Sequence, residues 1–291
     1  MTPIPGMTHL DELESQSIYL MREAFHGFKK PAMLWSMGKD SNVLLWLAKK
    51  AFCGHMPFPV VHIDTTYEFP EMLEFRAWAK DHYGFDLAVW TNHEARARGI
   101  GYETTDPVTV THELKTVALQ QCLAANKFDA LITGIRRDED STRAKERYFS
   151  PRNAEFEWDY KDQPPEFWNH FTTESGPGEH VRVQPLLDWT EIDIWRYLDR
   201  EKVPLPGMYF SRNGQRYRSL GCMPITKPVR SNALTIAGNH SQGLVFSPGT
   251  AGSVNILNAR NNDGQIEFLD PSSEKRAEPP ADSPLYFYRT Q

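Results

Sequence analysis

An apolar run, a short polar loop and a helical pattern follow one another early in the chain, and this succession constrains the fold more than any other feature. Pro31–Trp35 is apolar, Ser36–Ser41 reads Ser-Met-Gly-Lys-Asp-Ser, and Val43–Ala48 continues with helical character. A loop between a strand and a helix is a common phosphate site, because free N–H groups and the positive end of the helix dipole favour an anion there. We expect Gly38 to let the backbone approach that anion closely. The spacing differs from the Walker pattern, so this loop belongs to another class of phosphate site.

The following segments alternate between strand and helix patterns. Leu10–Phe25 has the periodicity of an amphipathic helix, and short apolar runs recur at Pro59–Ile63, Asp86–Trp90 and Phe128–Thr133. Helical patterns separate these runs, which predicts an α/β protein with a doubly wound, mostly parallel sheet and helices on both faces. Ligands of such sheets bind beyond the carboxyl ends of the strands.

Polar residues cluster where three of the predicted strands end. One cluster is the loop just described, and Asp64–Tyr67 is the second. The third runs from Gly134 to Arg147 and contains five basic and four acidic residues. Arginine grips phosphate or sulfate oxygens with two bonds at once, so this third cluster is predicted to bind an anion. A solvated helix surface with ion pairs three and four residues apart is the alternative interpretation.

Composition excludes several classes of function. The net charge is −6 and the isoelectric point is near 5.9, which disfavours broad electrostatic binding to nucleic acid or to a membrane surface. The three cysteines, Cys53, Cys122 and Cys222, form no C-x-x-C pair, so a zinc or iron–sulfur framework is not expected. No basic leader and no long apolar span is evident, and we therefore expect a soluble cytoplasmic protein.

Five collinear motifs carry a family resemblance. They are Ser36–Ser41, Val61–Thr65, Gly134–Glu139 with Arg143–Arg147, Pro185–Trp195 and Arg216–Cys222. Together they resemble, in this order, the small catalytic subunit of bacterial heterodimeric sulfate adenylyltransferase. That family belongs to the pyrophosphate-loop superfamily, with a fold of the adenine nucleotide alpha-hydrolase type shared with phosphoadenylyl sulfate reductases. The resemblance covers about Leu10 to Thr235, so several independent motifs support it.

The resemblance implies an enzyme that converts ATP and sulfate into adenylyl sulfate and pyrophosphate, with Mg²⁺. It also implies a GTPase large subunit as partner, either alone or fused to an adenylyl sulfate kinase. This chain has no Walker loop of its own, so GTP would have to be bound by that partner. Sulfate is a dianion at neutral pH, and its attack on ATP needs no general base. The histidines are therefore not expected to be catalytic, and His62 is predicted to be a packed core residue.

The resemblance also assigns roles to individual residues. The residues expected to hold the leaving pyrophosphate are Ser36, Gly38, Lys39, Asp40 and Ser41. Asp64 and Thr65 would lie along the nucleoside, and Asp40 is also the candidate ligand for Mg²⁺. Gly134 is expected to let the chain turn toward the site. The cations Arg136 and Arg137 would bind sulfate or the α-phosphate, assisted by Arg143 and Lys145.

Two other motifs carry less chemistry. Pro185–Trp195 is predicted to be scaffold, with Thr190 and Asp193 capping a helix whose buried face includes Trp195. Three residues of the last motif, Arg216, Arg218 and Ser219, either close over the anion or anchor a loop.

Two alternative functions stay open at this level. A phosphoadenylyl sulfate reductase would need a reactive cysteine in its C-terminal segment, and none follows Cys222. A scaffold that binds nucleotide without catalysis would serve only the GTPase partner, although the intact loop argues against loss of the site.

Residues 1–235 are therefore predicted to form the nucleotide-binding and catalytic domain, and residues 236–291 a divergent, poorly ordered tail. The tail is rich in glycine, asparagine, serine and proline and lacks helical periodicity. The segment Thr235–Gln242 can be encoded by bases that, read after one base is skipped, give Thr-Leu-Pro-Glu-Ile-Ile-His-Lys. That sequence is closer to an amphipathic helix than the segment itself. Our hypothesis is a single-base frameshift after Thr235; a natural, lineage-specific tail is the alternative.

Overall fold

Six strands form the main sheet of the computed structural model, which describes residues 6–236 and four two-residue strands further along the chain. The six are β1 (Pro31–Leu34), β2 (Val60–Ile63), β3 (Leu87–Trp90), β4 (Ala130–Ile132), β5 (Phe149–Arg152) and β6 (His180–Val183). Their order is β3-β2-β1-β4-β6-β5, and every neighbouring pair is parallel except β5 with β6. The chain leaves β1 toward β2 on one side and reaches β4 on the other. This switch point is where a ligand is expected in a doubly wound sheet.

Helices cover both faces of this sheet. They are α1 (His9–Gly27), α2 (Lys39–Ala51), α3 (Pro70–Tyr83), α4 (His93–Ala97), α5 (Pro107–Thr111), α6 (Ala118–Asn126) and α7 (Glu191–Glu201). A π-helical turn, His112–Val117, joins α5 to α6, and a 3₁₀ turn, Gly207–Tyr209, follows α7. Two short strands, β7 (Gln215–Arg216) and β8 (Val229–Arg230), pair antiparallel. None of the helices in the described residues is long and apolar enough to cross a membrane.

The apolar core is divided by the sheet because strand side chains alternate between its faces. One face buries Met33, Ile132 and Val183 against helices such as α1, α2 and α7. The other face buries Ala32 and Leu131 against α6. Both sheet faces are therefore covered, as the alternating sequence pattern predicts.

The register places particular side chains on the second face. Ala32 pairs with Leu131, and Leu131 pairs with Arg182 on β6. Residues paired in a parallel sheet share a face, so these three side chains form one row across β1, β4 and β6. Arg182 thus lies two strand spacings, roughly 10 Å, from β1.

The sequence-based fold prediction is confirmed, with differences in detail. The edge strand β5 and its neighbour β6 were not anticipated in the proline-rich segment after Tyr148. The capping box of Thr190 and Asp193 at the start of α7 is present as predicted. Most of the expected tail lies outside the described residues, apart from two antiparallel strand pairs. These are Ser247–Pro248 with Val254–Asn255, and Ala259–Arg260 with Ile266–Glu267.

Candidate active site

The polar loop after β1 is held in a fixed shape by its own backbone and by Trp35. The indole Nε1 of Trp35 donates to Asn42 Oδ1 at 2.9 Å, and Asn42 Nδ2 donates to the Met37 carbonyl at 3.0 Å. Met37 takes the left-handed conformation, with φ 61°. Gly38 is the N-cap of α2, with φ −68° and no side chain to cap the helix. The sharp turn is therefore made at Met37 and not at the glycine.

Gly38 leaves little room for a side chain. A Cβ atom built there would lie 3.3 Å from Ser36 Oγ and 3.6 Å from Tyr209 Oη. The first contact is tighter than a side chain normally accepts, so a larger residue would push Ser36 outward. Ser36 Oγ donates to Ser41 Oγ at 3.2 Å, and Ser41 Oγ donates to the Gly38 carbonyl at 3.0 Å. The two hydroxyls are thus gathered over the amino end of α2, where a phosphate is stabilised.

Lys39 is buried among charges at this helix end. Its Nζ lies 3.0 Å from Asp40 Oδ2 and 3.8 Å from Glu191 Oε1, and Glu191 also pairs with Arg218. Burial lowers the pKa of Lys39 to about 8, although Glu191 opposes the shift. Burial favours a raised pKa for Glu191, but Lys39 and Arg218 outweigh it and lower the pKa to about 2. The carboxylate of Glu191 is therefore a permanent counter-charge under the loop.

Arg136 lies at the centre of the same charge cluster. It forms ion pairs with Asp40, with Asp138 at 2.9 Å, and with Glu139 at 3.4 Å. Its side chain is buried, with the residue only 4% exposed. A cation just beyond a strand end would be expected to lie exposed and to contribute little to stability, but three carboxylates enclose this guanidinium.

The remaining cations of the third cluster diverge. Arg143 pairs with Glu139 and lies 3.4 Å from Asp140, so it stays beside Arg136. Arg137 turns to Asp188 at 2.8 Å, and Lys145 lies 4.4 Å from the ring centre of Tyr160. The structure thus joins Arg136 and Arg143 to the loop and directs Arg137 and Lys145 to other partners.

Asp64 and Thr65 follow β2 and are tied into the fold. Asp64 Oδ2 accepts from Arg76 of α3 at 2.7 Å, and its Oδ1 accepts from the Thr66 N–H at 2.8 Å. Thr65 is buried, with its hydroxyl 3.4 Å from Cys222 Sγ. Cys222 is buried, as expected for a structural cysteine. These contacts fix the path of the chain on the β2 side of the site.

Gly134 follows β4 without a left-handed backbone conformation. It is absent from the positive-φ glycines found in the described part of the chain. A Cβ added there would lie 3.5 Å from the backbone of Asp40, an ordinary contact distance. The end of β4 therefore packs directly against the start of α2.

A cleft opens beside the loop at the carboxyl ends of β1 and β2. Its volume is about 230 Å³, and Ser36 belongs both to the loop and to its wall. The other lining residues are Leu34, Trp35, His62, Ile63, Glu68, Met72, Lys115, Thr116, Leu119, Arg182, Leu220 and Gly221. A lining of apolar side chains with a few polar groups is typical of sites for small ligands.

The sequence did not identify four of the charged or polar residues around this site. Lys115 enters the cleft from the π-helical turn, a feature that is frequent at functional sites but has no signal in a single sequence. Glu191 and Tyr209 come from later elements that pack beside the loop, and Arg182 reaches the cleft from β6. By contrast, His62 is buried as predicted, and burial lowers its pKa to about 4.

Comparison with known families places the chain among enzymes of sulfur metabolism. The family model described as "Phosphoadenosine phosphosulfate reductase domain" matches residues 30–228. A sulfate adenylyltransferase subunit 2 from Trichlorobacter lovleyi is 43% identical over 261 residues, covering 79% of this chain and 87% of that protein. One from Mesorhizobium japonicum is 41% identical over 289 residues, covering 86% of this chain and 96% of that protein.

Solved structures share the fold at lower identity. A phosphoadenylyl-sulfate reductase from Candida auris has a TM-score of 0.52 at 16% identity, covering 78% of this chain and all of that chain (100%). FMN adenylyltransferase from Candida glabrata, in complex with FAD and inorganic pyrophosphate, has a TM-score of 0.53 at 18% identity, covering 78% of this chain and 69% of that chain. These two likenesses concern the fold. The family model and the curated relatives, which this chain matches over most of their length, establish that it belongs to the sulfate adenylyltransferase subunit 2 family.

Proposed function

We propose that this protein transfers the adenylyl group of ATP to sulfate, forming adenylyl sulfate and releasing pyrophosphate. The observation that carries the proposal is the union of Ser36, Lys39 and Arg136 at the amino end of α2, in a chain of this family. Two serine hydroxyls, buried cations and a helix amino terminus converge there. Phosphoryl and nucleotidyl transfer depend mainly on such positioning and charge neutralisation.

ATP is proposed to bind with its nucleoside in the cleft and its triphosphate over the loop. The apolar part of the cleft wall includes Leu34, Ile63 and Met72, which suits a flat base. Ser36 connects the cleft with the loop, so one ligand can occupy both. Lys115 and Glu68 line the same cleft and provide polar contacts for the nucleoside end.

The chemical step forms one bond and breaks another. A sulfate oxygen attacks the α-phosphorus of ATP, and the bond from that phosphorus to the oxygen bridging to the β-phosphate breaks. The electron pair of that bond leaves with pyrophosphate, and no proton has to move. We assign to Lys39 and Arg136 the stabilisation of the negative charge that develops on the leaving pyrophosphate.

Mg²⁺ is proposed to arrive with ATP. In the described residues no three acidic, histidine or cysteine side chains come together as a metal cage. Mg²⁺ is commonly held by substrate phosphates with one or two carboxylates. Asp40 is the loop carboxylate that would bind the ion. It is paired with Lys39 and Arg136, and phosphate oxygens would replace it beside these two cations. The ion would neutralise phosphate charge.

A second subunit is proposed to complete the enzyme. The relatives are named as subunit 2 of sulfate adenylyltransferase, a name that implies another subunit in those enzymes. A GTPase, alone or fused to an adenylyl sulfate kinase, is the partner that we propose. Its GTP hydrolysis would drive the unfavourable adenylyl transfer.

The test is pyrophosphate release from ATP and Mg²⁺, with and without sulfate, and with the GTPase subunit and GTP added in parallel. Release that requires sulfate and rises with partner and GTP is the expected result. Nucleotide binding without any sulfate-dependent release in the complete mixture would instead favour a non-catalytic scaffold. Sulfite formation from phosphoadenylyl sulfate and a thiol reductant would favour the reductase alternative.

A further inference from the structure

Buried polar atoms of three side chains lack hydrogen-bond partners at the carboxyl ends of β4 and β6. Arg182 Nε, Thr133 Oγ1 and both amide atoms of Gln184 are closed off from solvent without a hydrogen bond within the described residues. Thr133 is 7% exposed and Gln184 is fully buried. Buried polar groups are normally hydrogen-bonded, because leaving them unpaired costs free energy. Three such groups close together indicate a ligand that the protein is built to receive.

The three side chains lie on one face of the sheet. Arg182 pairs with Leu131, and Thr133 and Gln184 are each two residues further along their strands. Side chains two residues apart point to the same face, so all three belong to the face that carries the cleft. The Thr133 N–H donates to the Val183 carbonyl at 2.8 Å, which keeps the two strand ends in register. Arg182 itself lines the cleft, as Ser36 does.

Arg182, which is partly buried, differs from the buried cations near the site. Lys39 and Arg136 each face carboxylates, and Arg152 pairs with Glu146 at 2.6 Å. In residues 6–236, by contrast, no carboxylate lies within ion-pair distance of Arg182. Burial lowers the pKa of Arg182, and the more distant carboxylate of Glu146 opposes this shift only in part. A charge largely withdrawn from water without a direct partner is unfavourable. An anionic ligand is the compensation that this arrangement lacks.

An anion bound at Arg182 would occupy a different position from the triphosphate of ATP. The loop cations lie at the amino end of α2, whereas Arg182 lies across the sheet on β6, two strands from β1. Burial lowers the pKa of Arg143, and the charges of Arg136 and Arg182 lower it further. An anion at Arg182 therefore sits in the same cleft as the nucleotide but away from the loop.

We infer that Arg182, Thr133 and Gln184 form the binding site for the attacking oxyanion, and that this anion is sulfate. The inference rests on the proposed function, which requires a tetrahedral dianion beside the α-phosphate. A guanidinium can bind two sulfate oxygens, while a hydroxyl and an amide N–H bind others. No group here has to accept or supply a proton, in agreement with a nucleophile that is already ionised.

The test compares Arg182→Met with Lys115→Met, which removes the other cleft cation that has no ion-pair partner among the described residues. KM for sulfate and KM for ATP are obtained from initial rates of the wild type and of each variant, all measured with the partner subunit and GTP. Arg182→Met is expected to raise KM for sulfate about 10- to 100-fold, the range for loss of a charged hydrogen bond. KM for ATP is expected to change less than about threefold. Lys115→Met is expected to show the reverse pattern.

A binding measurement makes the result independent of turnover. Thermal melts are recorded with a non-hydrolysable ATP analogue, with and without sulfate. Sulfate should raise the melting temperature of the wild type but not of Arg182→Met or Thr133→Val. Without sulfate, Arg182→Met should melt at the same temperature as the wild type or higher, because an unpaired charge has been removed.

Different outcomes contradict different claims. Equal increases of both KM values, or an unchanged KM for sulfate in Arg182→Met, would overturn the assignment of this site. Wild-type protein that shows no sulfate-dependent release would refute the proposed function, while the melts would still decide the anion site. In that case, sulfate stabilisation lost in Arg182→Met supports the site, and wild-type protein that ignores sulfate overturns it.

Discussion

The backbone N–H of Lys39 donates a 2.8 Å hydrogen bond to the hydroxyl of Tyr209, which lies 170 residues later in the chain. Lys39 is the first residue of α2, so this bond joins the phosphate loop to the turn that follows α7. Tyr209 is buried, and the ring of Trp195 packs against it edge-on with the centroids 5.6 Å apart. The later part of the domain therefore helps to hold the loop in the shape required for an anion.

Tyr209→Phe is expected to loosen the loop. The variant leaves the Lys39 N–H buried without its acceptor, which should lower the free energy of unfolding by about 1–3 kcal/mol. Urea denaturation measures this loss, and KM for ATP should rise because the loop is less well ordered. Tyr19→Phe is the matched control, since Tyr19 lies on the surface. Equal stability of both variants would contradict a supporting role for the Tyr209 hydroxyl.

ATP binding is expected to weaken as the pH rises through about 8, the pKa to which burial lowers Lys39. Its ammonium group then loses the charge that attracts phosphate. Glu191, with a pKa lowered to about 2, stays ionised throughout. Isothermal titration between about pH 7.5 and 9.5 should show up to a roughly tenfold rise in Kd for an ATP analogue.

The same shift predicts a second pH effect with the opposite sign. The folded-state pKa of Lys39 lies below 10.5, the ordinary value for lysine, so between about pH 8 and 10.5 the unfolded chain holds a proton that the folded protein has released. The contribution of Lys39 to unfolding free energy therefore rises with pH in this window. Lys39→Arg should abolish both effects, because its guanidinium does not titrate there. A Kd for Lys39→Arg that still rises would assign the effect to another group.

Arg136→Gln is expected to lose both turnover and stability. Removal of this cation leaves Asp40, Asp138 and Glu139, which are partly buried, without their shared partner. Two of them keep another cation, because Asp40 also pairs with Lys39 and Glu139 with Arg143. Loss of the charged hydrogen bonds of Arg136 should cost about 1.5–3 kcal/mol, which a denaturation curve detects. Sulfate-dependent pyrophosphate release should fall to background even after correction for folded protein.

Arg137→Gln is the matched control for that variant. Arg137 lies next in sequence but pairs with Asp188, and its side chain is partly exposed. Surface ion pairs contribute little, so kcat should fall by less than about threefold. If Arg137→Gln were as inactive as Arg136→Gln, the placement of Arg137 outside the site would be incorrect.

Trp195→Ala is expected to destabilise the domain by about 3–5 kcal/mol, as for other buried aromatic residues. Trp195 is 4% exposed and supports Tyr209, whereas Trp168 is 89% exposed. Trp168→Ala should therefore leave the melting temperature nearly unchanged. A similar melting temperature for the two variants would show that the packing around α7 contributes less than its burial suggests.

Much of the fold around the phosphate loop could be predicted from the sequence. Strands were predicted before Ser36 and Asp64, and helices between them, from the local periodicity of apolar side chains. This periodicity is strong in a doubly wound sheet. The amino end of α2 could be located from the order of three kinds of motif along the chain, namely the polar loop, the polar strand ends and the helix cap. The partners Thr190 and Asp193 were predictable because both lie within one turn of helix.

The side chains that complete the site were harder to predict, because their proximity depends on long-range packing. Arg182 looks like an ordinary strand residue until its register with Leu131 and Ala32 is known. Arg136 and Arg137 are adjacent in sequence, yet they face different carboxylates because neighbouring side chains diverge along the chain. Likewise, the role of Glu191 as a counter-charge emerges only when α7 packs beside the loop.

The most direct test of the central claim follows the oxygen atoms of sulfate. The protein, its GTPase partner, GTP, Mg²⁺ and ATP are incubated with ¹⁸O-labelled sulfate, and the products are analysed by mass spectrometry. The account predicts adenylyl sulfate that retains every labelled oxygen, together with unlabelled pyrophosphate, because a sulfate oxygen attacks phosphorus. Pyrophosphate formed without labelled adenylyl sulfate, or a product that has lost one label, would contradict it.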